Sequence, residues 1–72
     1  MYNYSKLLGR IKEKCGKQSV FSAKMNLSER SMSLKLNGKR EWKQGEIQKA
    51  CEILEITSGE LSSYFFNTNV QN

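Results

Sequence analysis

Histidine is absent from the 72-residue chain, and with it goes the commonest general base and metal ligand of protein chemistry. The two cysteines, Cys15 and Cys51, stand without the histidines or further thiolates that a zinc site needs. Metal-dependent and triad chemistry are therefore set aside, and neither a metal nor a cofactor is expected. Proline is absent too, so glycines and helix caps must punctuate the chain. The longest unbroken apolar run is Tyr64-Phe65-Phe66, far short of a membrane span or the hydrophobic stretch of a secretory signal, and the mean hydropathy is −0.66. A soluble, cytoplasmic protein with reduced, packed thiols is expected. At this length there is one small domain and no room for a large cleft, so the expectation is neither an enzyme nor a receptor for a small molecule.

What the chain does have is positive charge, unevenly spread. Residues 1–43 hold eleven Lys and Arg against three Glu, a net +8, while residues 44–72 hold Lys49 against Glu46, Glu52, Glu55 and Glu60, a net −3. A polyanion-binding face in the first part and a separate second surface in the rest follow from that division.

Hydrophobic periodicity predicts five short helices. Tyr4, Leu7, Leu8, Ile11 and Cys15 form one apolar stripe of a first helix that Asn3 caps and Gly16 ends. A second helix runs from about Gln18 to Met25 through Phe21 and Met25, with Val20 beside them, and Asn26 suits the left-handed turn that follows. Ser28 caps a third helix, Glu29 to about Leu36, which stops at Asn37-Gly38. Met32 and Leu36 share its core face, while Leu34 lies roughly 200° from Met32 and cannot join them. Trp42 reads as a plug over one end of the core, ahead of a fourth helix from about Gln44 to Leu54 carrying Ile47, Ala50, Cys51 and Leu54 on one face. Thr57-Ser58-Gly59-Glu60 fits the capping box of a fifth helix holding Leu61.

The segment from Gln18 to Leu36 carries the functional signal. Two short helices separated by Asn26-Leu27-Ser28 are too tight for an antiparallel hairpin and read as a helix-turn-helix, with Ser22 small enough for close approach. The run from Gln18 to Met32 resembles the helix-turn-helix of the phage Cro and lambda-type repressor superfamily, the XRE family. Leu36-Asn37-Gly38-Lys39-Arg40 and the closing run from Glu60 to Phe66 are similar to short Cro-like proteins of phages and prophages of Gram-positive bacteria. The resemblance covers residues 4 to 66. It departs at the turn, where Asn26 replaces a common glycine, and in the second helix, where Ser22 replaces a small alanine.

That resemblance implies an all-α domain over residues 1–66 with its helix-turn-helix at 18–36, and a tail over 67–72 that is flexible or forms a short dimerisation strand. It implies base contacts from Ser28, Glu29, Arg30, Ser31 and Leu34, and backbone contacts from Lys17, Gln18, Lys35, Asn37, Gly38, Lys39 and Arg40. Glu29 either accepts from a cytosine amino group beside Arg30 or only favours the helix N-terminus. Leu34 meets either a thymine methyl or another protein chain. The aromatic end, Tyr64, Phe65, Phe66 and Val70, is expected to form a homodimer interface, because three adjacent aromatics exceed what one short helix hides. The implied function is a Cro-like regulator that occupies a palindromic double-stranded operator on the bacterial nucleoid. A protein-binding regulator, antirepressor or antitoxin-like, that keeps the same fold is the alternative.

Overall fold

The computed structural model describes residues 2–68, folded as α1 (Ser5–Cys15), α2 (Gln18–Lys24), α3 (Glu29–Leu36), α4 (Gln44–Leu54) and α5 (Leu61–Phe65). The fold is all-α, with no strand among the described residues. Asn3 donates its backbone N–H to the Asn67 carbonyl at 2.6 Å, which joins the two ends of the described chain. Of the tail expected over 67–72 to be flexible or to form a short strand, residues 67 and 68 form no strand and residues 69–72 lie outside the described residues.

The ends of the helices follow from local chemistry. Asn3 Oδ1 accepts from the Ser5 backbone N–H at 2.9 Å, and Gly16 closes α1 at φ 82°. Ser28 Oγ accepts from the Ser31 N–H at 3.0 Å, satisfying one of the donors left over at the start of α3. Two Schellman turns reverse the chain, each with a left-handed residue at its corner. After α2, Asn26 (φ 59°) donates to the Ala23 carbonyl and Leu27 to that of Ser22. After α3, Gly38 (φ 72°) donates to Lys35 and Lys39 to Leu34. Glu60 accepts from both the N–H and the hydroxyl of Thr57, completing one arm of the capping box, and these bonds hold its carboxyl below the usual range.

The core lies where α1 meets its neighbours. Leu7 and Ile11 of α1, Phe21 of α2 and Met25 at its end, Met32 and Leu36 of α3, Ala50 and Leu54 of α4, and Tyr64 and Phe65 of α5 are buried together. Trp42 is half-buried and meets the Phe65 ring edge-on, centroids 5.2 Å apart. Leu8 departs from the expected stripe and is exposed, because α2, α4 and α5 pack on the side of α1 that carries Leu7 and Ile11; Val20, expected beside Phe21 and Met25, is exposed too. Arg10 binds α1 to the end of α4, where Nε donates to the Leu54 carbonyl at 2.8 Å and Nη2 to that of Glu55 at 3.0 Å. No described helix is long and apolar enough to cross a membrane.

Candidate nucleic-acid interface

Helix α3 joins the rest of the fold chiefly through α2. Its 3.6-residue period gathers Met32, Lys35 and Leu36 on the inner side and puts Arg30 and Leu34 near the middle of the opposite side. Met32 and Leu36 are buried, Ser28, Glu29 and Arg30 are exposed at the helix start, and Ser31, Ser33 and Leu34 are half-buried. Ser22 permits this arrangement: it is buried, and its hydroxyl donates to the Gln18 carbonyl at 2.9 Å instead of facing α3 unsatisfied. Lys17 and Gln18 are exposed where α2 begins, and Asn37, Gly38, Lys39 and Arg40 are exposed beyond the end of α3.

Lys35 corrects the expected set of phosphate contacts. Its side chain is only 3% exposed, and its ammonium lies 2.8 Å from Glu46 Oε1 while donating to the Glu41 carbonyl at 2.9 Å. An ammonium engaged in this way cannot reach a phosphate. It instead fastens the end of α3 to the connecting loop and to the start of α4, where Glu46 Oε1 also accepts from the Lys43 N–H at 2.9 Å. Partial burial pushes the Glu46 carboxyl upward, but hydrogen bonds from Lys35 and from the Lys43 backbone, together with their charges, outweigh it and hold Glu46 below the usual range. A carboxylate whose folded pKa is depressed contributes stability that is complete above its unfolded pKa and lost as pH falls through the folded value. Stability is therefore expected to decline on acidification below about pH 4, and Glu46→Gln should flatten that decline in denaturation curves recorded across pH. Glu46→Ala is expected to cost about 2–4 kcal/mol, since it strands the Lys35 ammonium, whereas joining Glu46→Leu to Lys35→Met should recover much of that loss.

Asn37 and Arg40 are held against α3 by their side chains. Asn37 Nδ2 donates to the Ser33 carbonyl at 2.8 Å and to Ser33 Oγ at 3.2 Å. Arg40 Nη1 donates to Ser31 Oγ at 3.1 Å. The sequence marks Arg40 as a backbone contact beside Lys39, with no sign of a tie to Ser31. The bond to Ser31 depends on the Gly38 turn bringing the chain back along α3, and that return has no periodic signature.

The aromatic end is also redistributed. Tyr64 and Phe65 belong to the core, with Phe65 1% exposed, so neither offers the interface surface expected of it. Lys6 covers Tyr64, its ammonium 4.6 Å from the ring centroid and donating to Ser63 Oγ at 3.0 Å. Phe66 alone of the three is exposed, at 46%, and it meets the ring of exposed Tyr2 edge-on at 5.6 Å. Val70 lies outside the described residues. No three His, Cys, Asp or Glu side chains converge as a metal site requires among the described residues.

No curated protein matches the chain. Among solved structures it is similar to the solution structure of the modulator of repression (MOR) of the temperate bacteriophage TP901-1 from Lactococcus lactis, at 53% identity, over 97% of this chain and 95% of that one, with a TM-score of 0.81. Residues 1–68 match the family described as protein of unknown function (DUF739), and the chain belongs to that family.

Proposed function

We propose that this protein is a phage regulator of repression that binds double-stranded DNA through a Cro-like helix-turn-helix, α2 packing behind while α3 enters the major groove. The observation that carries the reading is the one-sided attachment of α3, which leaves Ser28, Glu29 and Arg30 exposed at its first turn, within the part of the chain where cations dominate. Lys17, Gln18, Asn37, Gly38 and Lys39 flank that face as backbone contacts, and Glu29, Arg30, Ser31 and Leu34 face base edges. The 53% identity to a phage modulator of repression supports a role in repression. One recognition helix reads only a few base pairs, so a homodimer on a palindromic operator is the simple route to useful affinity. Phe66, with Tyr2 beside it, is the exposed aromatic surface on which we place that dimer.

A second reading has one observation in its favour. Leu34 puts an apolar side chain near the middle of the outward side of α3, which suits a protein partner as well as a thymine methyl. A module of this kind would modulate repression by contacting another regulator.

Alanine substitutions test the DNA reading by titration against a selected operator and against random duplex. Lys39→Ala should weaken binding to both alike, whereas Arg30→Ala should cost about 1–3 kcal/mol on the operator and relax preference at one base pair. Equal effects of the two on both DNAs would take α3 out of the groove.

A further inference from the structure

We infer that Arg40 reads a base, with Ser31 as its positioning residue, and that the base is a guanine. This rests on the DNA-binding reading above and changes what one residue does within it.

The placement comes from three consecutive constraints. Gly38, at φ 72°, closes α3 with a Schellman turn in which Lys39 donates to the Leu34 carbonyl at 2.8 Å, so the chain doubles back along the helix it has just left. Lys35 then holds the returning strand of loop by donating to the Glu41 carbonyl at 2.9 Å, while its ammonium is fixed by Glu46 at 2.8 Å. Arg40, directly before the held carbonyl, reaches the first turn of α3 and donates Nη1 to Ser31 Oγ at 3.1 Å. Ser31 is itself fixed, because its N–H is bound to the Ser28 cap at 3.0 Å. The guanidinium therefore lies at the reading end of α3 and not at the far end, where the loop emerges.

The stereochemistry of the group suits a purine edge. A guanidinium has five N–H donors in a rigid plane. Ser31 takes one on Nη1, Arg40 remains exposed, and the edge formed by Nε and Nη2 holds no partner among the described residues. Two parallel donors of that spacing match O6 and N7 of guanine in the major groove. Phosphates accept the same fork, so the position of Arg40, fixed by a short polar side chain of the recognition helix, is what favours the base. A lysine there keeps the charge but presents a single point donor.

The test uses the full chain. Binding sites are first selected from a random duplex pool with the unaltered protein, and affinities are then measured for Arg40→Lys, Arg40→Ala, Ser31→Ala and Ser31→Thr across single-base variants of the selected site. Arg40→Lys is expected to lose about tenfold or more of the preference at one G·C pair, with affinity for random duplex and the salt slope unchanged. Ser31→Ala should relax the same pair and no other, and Ser31→Thr, which keeps the hydroxyl, should retain it. If Arg40→Lys keeps the preference, or Arg40→Ala weakens every sequence alike and lowers the salt slope by about one, Arg40 holds a phosphate and the inference fails while the DNA reading stands. If Ser31→Ala leaves that pair unaffected, the positioning role fails. A pool from which the unaltered protein enriches nothing overturns the DNA reading and this inference together.

Discussion

Raising salt from 50 to 200 mM is expected to weaken binding to duplex DNA by about 10³-fold. Each phosphate neutralised by a cation releases condensed counterions, and the logarithm of the affinity falls with the logarithm of salt at about −0.9 per contact. With Lys35 buried against Glu46, the exposed cations around α2, α3 and the loop after it are Lys17, Lys24, Arg30, Lys39, Arg40 and Lys43. If about three per subunit meet phosphates, a dimer makes about six contacts and the slope is near −5. A titration by fluorescence anisotropy across that salt range measures it. A nearly flat slope would reject the DNA reading, and a flat slope joined to tight, salt-insensitive association with another phage regulator would favour the protein-binding one. The same experiment separates α3 from the acidic end: Lys39→Ala should make the slope shallower, whereas Lys49→Ala, on α4 among the glutamates, should leave it unchanged.

The helices were legible because each announces itself within a few residues. The Met32 and Leu36 spacing, the Ser28 cap and the stop at Asn37-Gly38 are all local, and α3 spans Glu29–Leu36 as they dictate. Asn26 adopts the left-handed conformation its short amide tolerates. What stayed hidden depends on partners distant in sequence. A lysine on a short helix reads as solvated, and only the approach of the α3–α4 loop and of Glu46 makes Lys35 a buried tie. Arg10 spends its guanidinium on carbonyls 44 and 45 residues away. Glu55 takes φ 56° without the glycine that would have signalled a left-handed cap, and its carbonyl receives one of those Arg10 bonds. The candidate site divides in the same way: the outward place of Arg30 follows from helical phase and the exposure of Ser28 and Glu29 from their position at the open first turn of α3, while the place of Arg40 follows from tertiary structure.

Phe65 and Phe66 are adjacent in sequence, yet their removal is expected to give opposite results. Phe65 is 1% exposed, lies among the buried side chains of the core and meets the Trp42 ring edge-on at 79°. Truncating a buried aromatic forfeits its transfer free energy and leaves a cavity, so Phe65→Ala should cost about 3–5 kcal/mol. In a domain this small that is a fall of roughly 12–40 °C in Tm, at about 4–8 °C per kcal/mol, and it approaches the whole stability expected of a marginal fold. Phe66 is 46% exposed, and Tyr2, whose ring it meets edge-on, is 45% exposed. Its truncation should cost less than about 1 kcal/mol in the folded monomer. If the dimer uses this surface, however, Phe66→Ala removes a large apolar group from the interface, where aromatic anchors contribute most. Sedimentation should then show a lower dimer fraction with helicity by circular dichroism intact, and operator binding should become steeper in protein concentration, because assembly must now occur on the DNA. Phe66→Ala that sediments as a dimer like the unaltered chain would move the interface off this surface. Phe65→Ala with an unchanged Tm would mean that α5 does not contribute to the core.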